Sequence, residues 1–318
     1  MTKVWTLTMN PSIDLGAEVE SVVPDVKLRC SAPSIEPGGG GVNVARALRR
    51  VESGATAIFP EGAGLGAFYR RLIEEEGVDC RTFAIHGFMH RINNHFRETE
   101  SRRQYRFNLP GPEMWESEWR SALDLIEDLL EEKDILVMSG SLPPGVPAKF
   151  TRLVAETAGN AGALFVLDAP GEVLLELKGA PVGWITPNRK EFEEWIGRRL
   201  DGDRLEEELE SSLGESAFEN VLLTLGSDGA VCASGEEGVS RIRAPEVEKV
   251  SAVGAGDSAV AGLVLGLVRG EDHCTACEWA VAAGSAAVMS PGTELLEKEN
   301  FHSLCGVVAG SGVAAAEK

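Results

Sequence analysis

From about residue 114 onward, short apolar runs alternate with stretches of helical periodicity. Residues 114–133 place Leu123, Ile126, Leu129 and Leu130 on one helical face, and Ile135-Leu136-Val137-Met138 follows as a strand ending in Ser139-Gly140-Ser141. A helix is expected over 148–160, then the strand Leu164-Phe165-Val166-Leu167 ending in Asp168. Gly183-Trp184-Ile185 leads into Thr186-Pro187-Asn188, and the strand over 220–225 leads into Gly226-Ser227-Asp228-Gly229. Strands that read as unbroken apolar runs are buried on both faces, and strands joined through helices run parallel. The expected fold class is α/β, a three-layer sandwich around a mainly parallel sheet. Polar and glycine-rich residues follow these strands, at the carboxyl edge where open sheets bind ligands. They should meet in one crevice.

Two segments stand outside this alternation. Residues 13–35 and 90–107 have strand-like composition without intervening helices, and small antiparallel strands forming a lid over the crevice would account for both. Neither repeats nor low-complexity linkers interrupt the 318 residues, so residues 1–318 are expected to form one domain that carries its own lid.

Composition narrows the function. The chain is 43% hydrophobic with a net charge of −20, which makes duplex nucleic acid and anionic membranes poor partners. An anionic substrate must then be held by a few local cations and by backbone amides. No apolar run reaches the ~18 residues of a membrane helix. The first residues read as a strand rather than a signal peptide, so a cytoplasmic location is expected. Six scattered cysteines fit reduced thiols, and the isolated Cys274-x-x-Cys277, with no second pair and no nearby His, fits a packed helical face better than a zinc site. The acidic stretch over 201–219 reads as a solvated helix.

Four motifs carry chemistry. Val253-Gly254-Ala255-Gly256-Asp257-Ser258 precedes an apolar helical run. Glycines ahead of a helix let backbone N–H groups approach an anion, and the helix N-terminus adds about half a positive charge. Asp257 would stand beside a phosphoryl group, placed to accept the proton of an attacking hydroxyl; a tight turn with an Asp cap is the plainer alternative. Residues 36–47 set four unbroken glycines, Gly38 to Gly41, at the opening of a helix, and match neither the Walker A pattern nor a dinucleotide fingerprint. They would let a sugar lie against backbone, with Asn43 reading a hydroxyl; a flexible loop with a cluster of capping glycines is the plainer alternative. In Thr186-Pro187-Asn188-Arg189-Lys190-Glu191 the oxygens of Asn188 and Glu191 suit Mg²⁺ held through water, and an ordinary Asn-capped helix start explains them equally well. Leu223-Thr224-Leu225-Gly226-Ser227-Asp228-Gly229 is compatible with nucleotide phosphates, or with a plain hairpin.

In this order the motifs resemble those of the ribokinase (PfkB) family of carbohydrate kinases. Trp5-Thr6-Leu7-Thr8, Lys27-Leu28-Arg29-Cys30, residues 36–47, Tyr105-Arg106-Phe107, residues 139–145 and residues 253–258 carry the likeness, which spans nearly the whole chain. It implies a ribokinase-like sandwich, a β-lid that also joins two copies into a homodimer, and transfer from ATP to a sugar phosphate. Asp257 becomes the catalytic base, with the amides of Gly254, Ala255 and Gly256 as anion hole. Substrate contacts fall on Asp14, Lys27, Arg29, Gly39, Gly40, Asn43, Arg91 and Ser139. Nucleotide contacts fall on Asn188, Thr224, Gly226, Gly229, Lys249, Val281 and Ser285. Glu191 would help hold Mg²⁺, and a K⁺ site falls at Ser251, Val253, Ala287, Ser290, Gly292 and Glu294. The branch of closest likeness converts fructose 6-phosphate to fructose 1,6-bisphosphate. The unbroken glycine run favours that branch over the tagatose 6-phosphate and fructose 1-phosphate kinases, which usually carry a lysine there. An inactive sugar-phosphate sensor is the remaining alternative, and its one support is Thr186, which stands where that branch has lysine.

Overall fold

The computed structural model describes residues 2–87, 90–177, 179–215, 218–235, 237–290 and 294–309. The main sheet contains β1 (Val4–Leu7), β4 (Thr56–Gly62), β5 (Asp79–Ile85), β8 (Ile135–Ser139), β9 (Leu164–Asp168), β10 (Val182–Ile185) and β11 (Phe218–Thr224), each parallel to its neighbours. β12 (Ala230–Ser234) and β13 (Gly238–Ile242) extend one edge antiparallel. A second sheet holds β2 (Ser12–Val19), β3 (Ser34–Gly38), β6 (Arg91–Glu98) and β7 (Gln104–Phe107). The helices are α1 (Gly40–Arg50), α2 (Gly66–Glu75), α3 (Glu116–Leu129), α4 (Lys149–Ala161), α5 (Gly171–Leu174), α6 (Arg189–Ile196), α7 (Leu205–Glu215), α8 (Ala255–Arg269), α9 (His273–Val288) and α10 (Lys298–Ala309).

Alternation along single strands builds two cores. Leu136 and Met138 of β8 join Trp119 and Ile126 of α3 and Phe150 and Val154 of α4 on one face. Ile135 and Val137 of the same strand face α1, α8, α9 and α10 on the other. The two-residue period of a strand is what divides them. Glycines set the spacing of α8 and α9: a Cβ at Gly266 would lie 2.6 Å from Ala276 Cα, so the two helices touch at backbone distance.

The main sheet runs β13-β12-β11-β10-β9-β8-β1-β4-β5. Chain order thus proceeds in opposite directions on the two sides of the β1–β8 pair. In open α/β sheets the ligand crevice forms beyond the carboxyl ends at such a switch point. Here that position is occupied by Thr8 and Ser139.

Three expectations need correction. The lid is not wholly antiparallel: its central pair, β2 and β6, is parallel from Ser12↔Arg91 to Val19↔Glu98. A parallel pair needs a long connection, and α1, β4, α2 and β5 supply it. Residues 20–33, expected to be strand-like, are irregular and mostly exposed, apart from a bridge at Cys30. The four glycines do not all open one helix either. Gly38 ends β3, Gly39 is the cap with φ 123°, and α1 starts at Gly40.

Candidate active site

The crevice begins where α1 meets the ends of β1 and β8. A side chain at Gly39 would come within 2.6 Å of Thr8 Cγ2 and one at Gly41 within 2.5 Å of Leu7 O. One at Gly40 would collide with Ser139 Oγ. The glycine run therefore lays bare backbone across the switch point, and the Val42 amide donates to Thr8 Oγ1 at 2.8 Å.

Asn43, on the first turn of α1, reaches the opposite wall. Its Nδ2 donates to Asp257 Oδ2 at 2.9 Å. Asp257 lies in the first turn of α8, and the cap of that helix is Gly254 with φ 76°, not the aspartate. The first intrahelical bond runs from Ser258 N to Gly254 O, so the amides of Ala255, Gly256 and Asp257 precede the helix ladder. A Cβ at Gly256 would meet nothing within 4 Å. That open space above a helix N-terminus suits an anion.

Ser139 Oγ links two carboxylates, at 2.8 Å from Asp168 Oδ2 and 3.4 Å from Asp257 Oδ1. Thr186 Oγ1 lies 3.3 Å from Asp168 Oδ1. Burial pushes Asp257 up to about 6, against the pull of its bonds with Asn43 and Ser139. Burial, reinforced by the charge of Asp257, also pushes Asp168 up to about 6. A carboxylate poised near neutrality can take a proton and give it up again.

On the lid side, Asp14 Oδ1 accepts from Asn93 Nδ2 at 3.0 Å, and Gly38 packs against the same carboxylate. Arg91 Nε donates to Asn10 O at 3.2 Å, and Asn10 Nδ2 is itself pinned to Ser141 Oγ at 3.1 Å. Arg91 is partly stripped of water, which lowers its pKa, and among the described residues its one hydrogen bond is through Nε. Lys27 and Arg29 are both exposed on the irregular stretch after β2.

A cavity of about 210 Å³ is lined by Asp168, Thr186, Asn188, Glu191, Thr224 and Asp257, among others. A neighbouring one of about 260 Å³ shares Asn188 and Thr224 and reaches Gly226. Asn188 caps α6: its Oδ1 accepts from Glu191 N at 3.1 Å while Glu191 Oε2 accepts from Asn188 N at 2.9 Å. The cap is thus real, and the carboxyl still lines the cavity, its pKa raised first by burial and then by Asp168. Gly229, with φ 95°, closes the turn after β11. Val281 and Ser285 are buried in α9, whose Gly284 packs on Ala255, and Lys249 is exposed.

Of the residues expected to bind a monovalent cation, Ser251, Ala287 and Ser290 are buried, Val253 is half-buried and Glu294 is exposed. Gly292 lies outside the described residues. Among the described residues Ser290 Oγ is buried without a hydrogen-bond partner, just past the C-terminus of α9 where carbonyls face outward. An unsatisfied hard oxygen at the negative end of a helix fits a cation.

Asp168 and its contact with Thr186 were not anticipated. The one signal was position: β9 ends in an aspartate at the same edge where β8 ends in Ser139. An aspartate beside a helix N-terminus, at the switch point of a parallel sheet and facing a glycine-floored crevice, is an arrangement that suits phosphoryl transfer.

The chain belongs to the pfkB family of carbohydrate kinases, which it matches over residues 3–299. It is 35% identical over 307 residues to ATP-dependent 6-phosphofructokinase isozyme 2 of Escherichia coli, covering 96% of this chain and 98% of that one. Identity to the enzyme of the same description from Mycobacterium tuberculosis is 33%, covering 94% and 87%. A crystal structure of E. coli phosphofructokinase-2 in complex with potassium superposes with a TM-score of 0.91 at 32% identity, covering 97% of this chain and all of that one. Among the described residues no helix is long and apolar enough to cross a membrane.

Proposed function

We propose that this chain is an ATP-dependent 6-phosphofructokinase that converts fructose 6-phosphate to fructose 1,6-bisphosphate with Asp257 as base. The observation that carries the reading is the Asp257 carboxylate, held by Asn43 and Ser139 beside the open amides of α8. In this role Asp257 accepts the proton of the sugar 1-hydroxyl as that oxygen attacks the γ-phosphorus. The amides of the α8 first turn stabilise the charge that spreads over the phosphoryl oxygens. Asp14, Asn43 and the backbone of Gly39 and Gly40 orient the sugar. Arg91 binds its 6-phosphate through a forked, charge-assisted contact, with Lys27 and Arg29 approaching when the lid closes and excludes water.

Asn188, Thr224, Gly226, Gly229, Lys249, Val281 and Ser285 form the nucleotide side. Mg²⁺ accompanying the nucleotide would find hard oxygen ligands at Glu191 and screen phosphate charge; K⁺ would sit among Ser251, Val253, Ala287 and Ser290, next to the loop that leads into α8. Six of the exposed large apolar residues, Val23, Val26, Leu28, Ile35, Phe107 and Leu109, gather on the lid sheet or its connections, while Trp115, Leu175, Val250 and Val307 lie elsewhere; the gathering of six supports a homodimer through the lid. Free thiols throughout the described residues fit a cytoplasmic setting.

A coupled assay of ADP release across fructose 6-phosphate, tagatose 6-phosphate, fructose 1-phosphate and fructose tests the substrate. The highest kcat/KM is expected with fructose 6-phosphate; a best rate with fructose 1-phosphate or with fructose contradicts the reading. Because Asp257 must be ionised to act as base, kcat should fall below about pH 6, close to tenfold per pH unit. A kcat that stays flat from pH 8 down to pH 5 would show that no such carboxylate titrates in the bound complex.

A further inference from the structure

Arg46 lies one turn beyond Asn43 on α1 and is only 2% exposed. Its Nε is 2.9 Å from both carboxylate oxygens of Glu76, and Nη2 is 2.6 Å from Glu76 Oε1. Nη2 also lies 3.5 Å from Glu36 Oε2. An ion pair that served stability alone would end there. Nη1 instead turns toward the site, donating to Pro37 O at 2.9 Å and to Asn43 Oδ1 at 3.2 Å.

That last contact decides which way the Asn43 amide faces. An Asn side chain has one accepting end and one donating end. With Oδ1 held by a guanidinium, Nδ2 is left to meet Asp257, where it is found at 2.9 Å. The flipped amide would set Oδ1 against a carboxylate and Nδ2 against a cation, losing both bonds and leaving buried groups unpaired. We propose that Arg46 is a positioning residue: braced by Glu76, it orients the Asn43 amide toward Asp257 and ties the end of β3 at Pro37 to α1. The proposal rests on the reading of Asp257 as base. Arg46 itself touches neither substrate nor the reacting atoms.

A lysine has a single ammonium and cannot reach Glu76, Pro37 O and Asn43 Oδ1 together. The test is a double-mutant cycle on the full-length enzyme, with Arg46→Lys made in the native and Asn43→Ala backgrounds. Contacting residues couple, so Arg46→Lys should lower kcat about tenfold to a hundredfold when Asn43 is present. KM for ATP should stay within about twofold, and in Asn43→Ala the same change should alter kcat by less than about threefold. Equal losses in both backgrounds would reduce Arg46 to a structural ion pair and overturn the proposal. If Arg46→Lys does not fold, Glu76→Gln weakens the brace from the partly exposed side. Its smaller loss should likewise vanish in the Asn43→Ala background, and an additive result there overturns the proposal too. Asp257→Asn measured alongside separates the two levels. Retained turnover in that variant defeats the base assignment, whereas an inactive Asp257→Asn with an additive cycle defeats only the role of Arg46.

Discussion

Asp257→Asn is expected to lower kcat about 10²–10⁴-fold, the usual worth of a positioned general base, while the Kd for fructose 6-phosphate changes by less than about threefold. Asparagine keeps the shape of the side chain and still accepts from Asn43, whose amide lies 2.9 Å away, so the sugar pocket survives and only the proton acceptor is lost. The same variant should be more stable than the native enzyme at pH 7.5. Asp257 titrates at about 6 in the folded chain because burial disfavours its charge, and an unfolded aspartate titrates near 4. Between those values the folded state holds a proton that the unfolded chain has released. Stability therefore falls as pH rises through this window, and above about pH 6 the whole penalty is present. Removing the carboxylate charge should return on the order of 1–3 kcal/mol at neutral pH, read as a higher midpoint in urea. Below about pH 4 the gain should disappear. Near-normal turnover, or a midpoint that does not rise at pH 7.5, would count against a buried and functional base.

The second large effect is expected at Arg91. Its Nε is committed to Asn10 O, which aims the rest of the fork, and burial has already removed part of its water. Hydrogen bonds to charged groups contribute about 1.5–3 kcal/mol, so Arg91→Gln should lower kcat/KM for fructose 6-phosphate by about tenfold to a hundredfold. Turnover of unphosphorylated fructose, slow in both proteins, should be nearly unchanged, so the preference for the phosphosugar collapses. Steady-state kinetics with the two sugars, at saturating ATP, measures this. Equal losses for both would show that Arg91 supports the lid and does not read the phosphate.

The parts legible in the sequence were those encoded locally. Ile135–Ser139 and its neighbours are apolar along their length because both faces are covered, and that pattern, with helices between the strands, implies a parallel sheet. The glycines at 38–41 and 254–256 are legible because close backbone approach needs the absence of a side chain. What stayed hidden depends on partners distant in the chain. Strand composition at β2 and β6 does not state which strand pairs with which, so their parallel register had no local sign. A single aspartate at a strand end, as at 168, has no motif around it. Its significance comes from Ser139 and Thr186, which other strands deliver. Nothing beside Arg46 in the sequence signals its role, since its partner Glu76 follows α2, thirty residues further on. At Asn188 and Glu191 the two sequence readings proved compatible, because the capping box leaves the carboxyl of Glu191 in the cavity wall.

A crystal structure with fructose 6-phosphate and a non-hydrolysable ATP analogue bound together tests the central claim most directly. The account predicts the sugar 1-hydroxyl within hydrogen-bond distance of the Asp257 carboxylate, the γ-phosphoryl group over the amides of Ala255 and Gly256, and the 6-phosphate on Arg91. A sugar seated with its phosphate away from Arg91, or an Asp257 side chain turned from the hydroxyl while both ligands are in place, would contradict it.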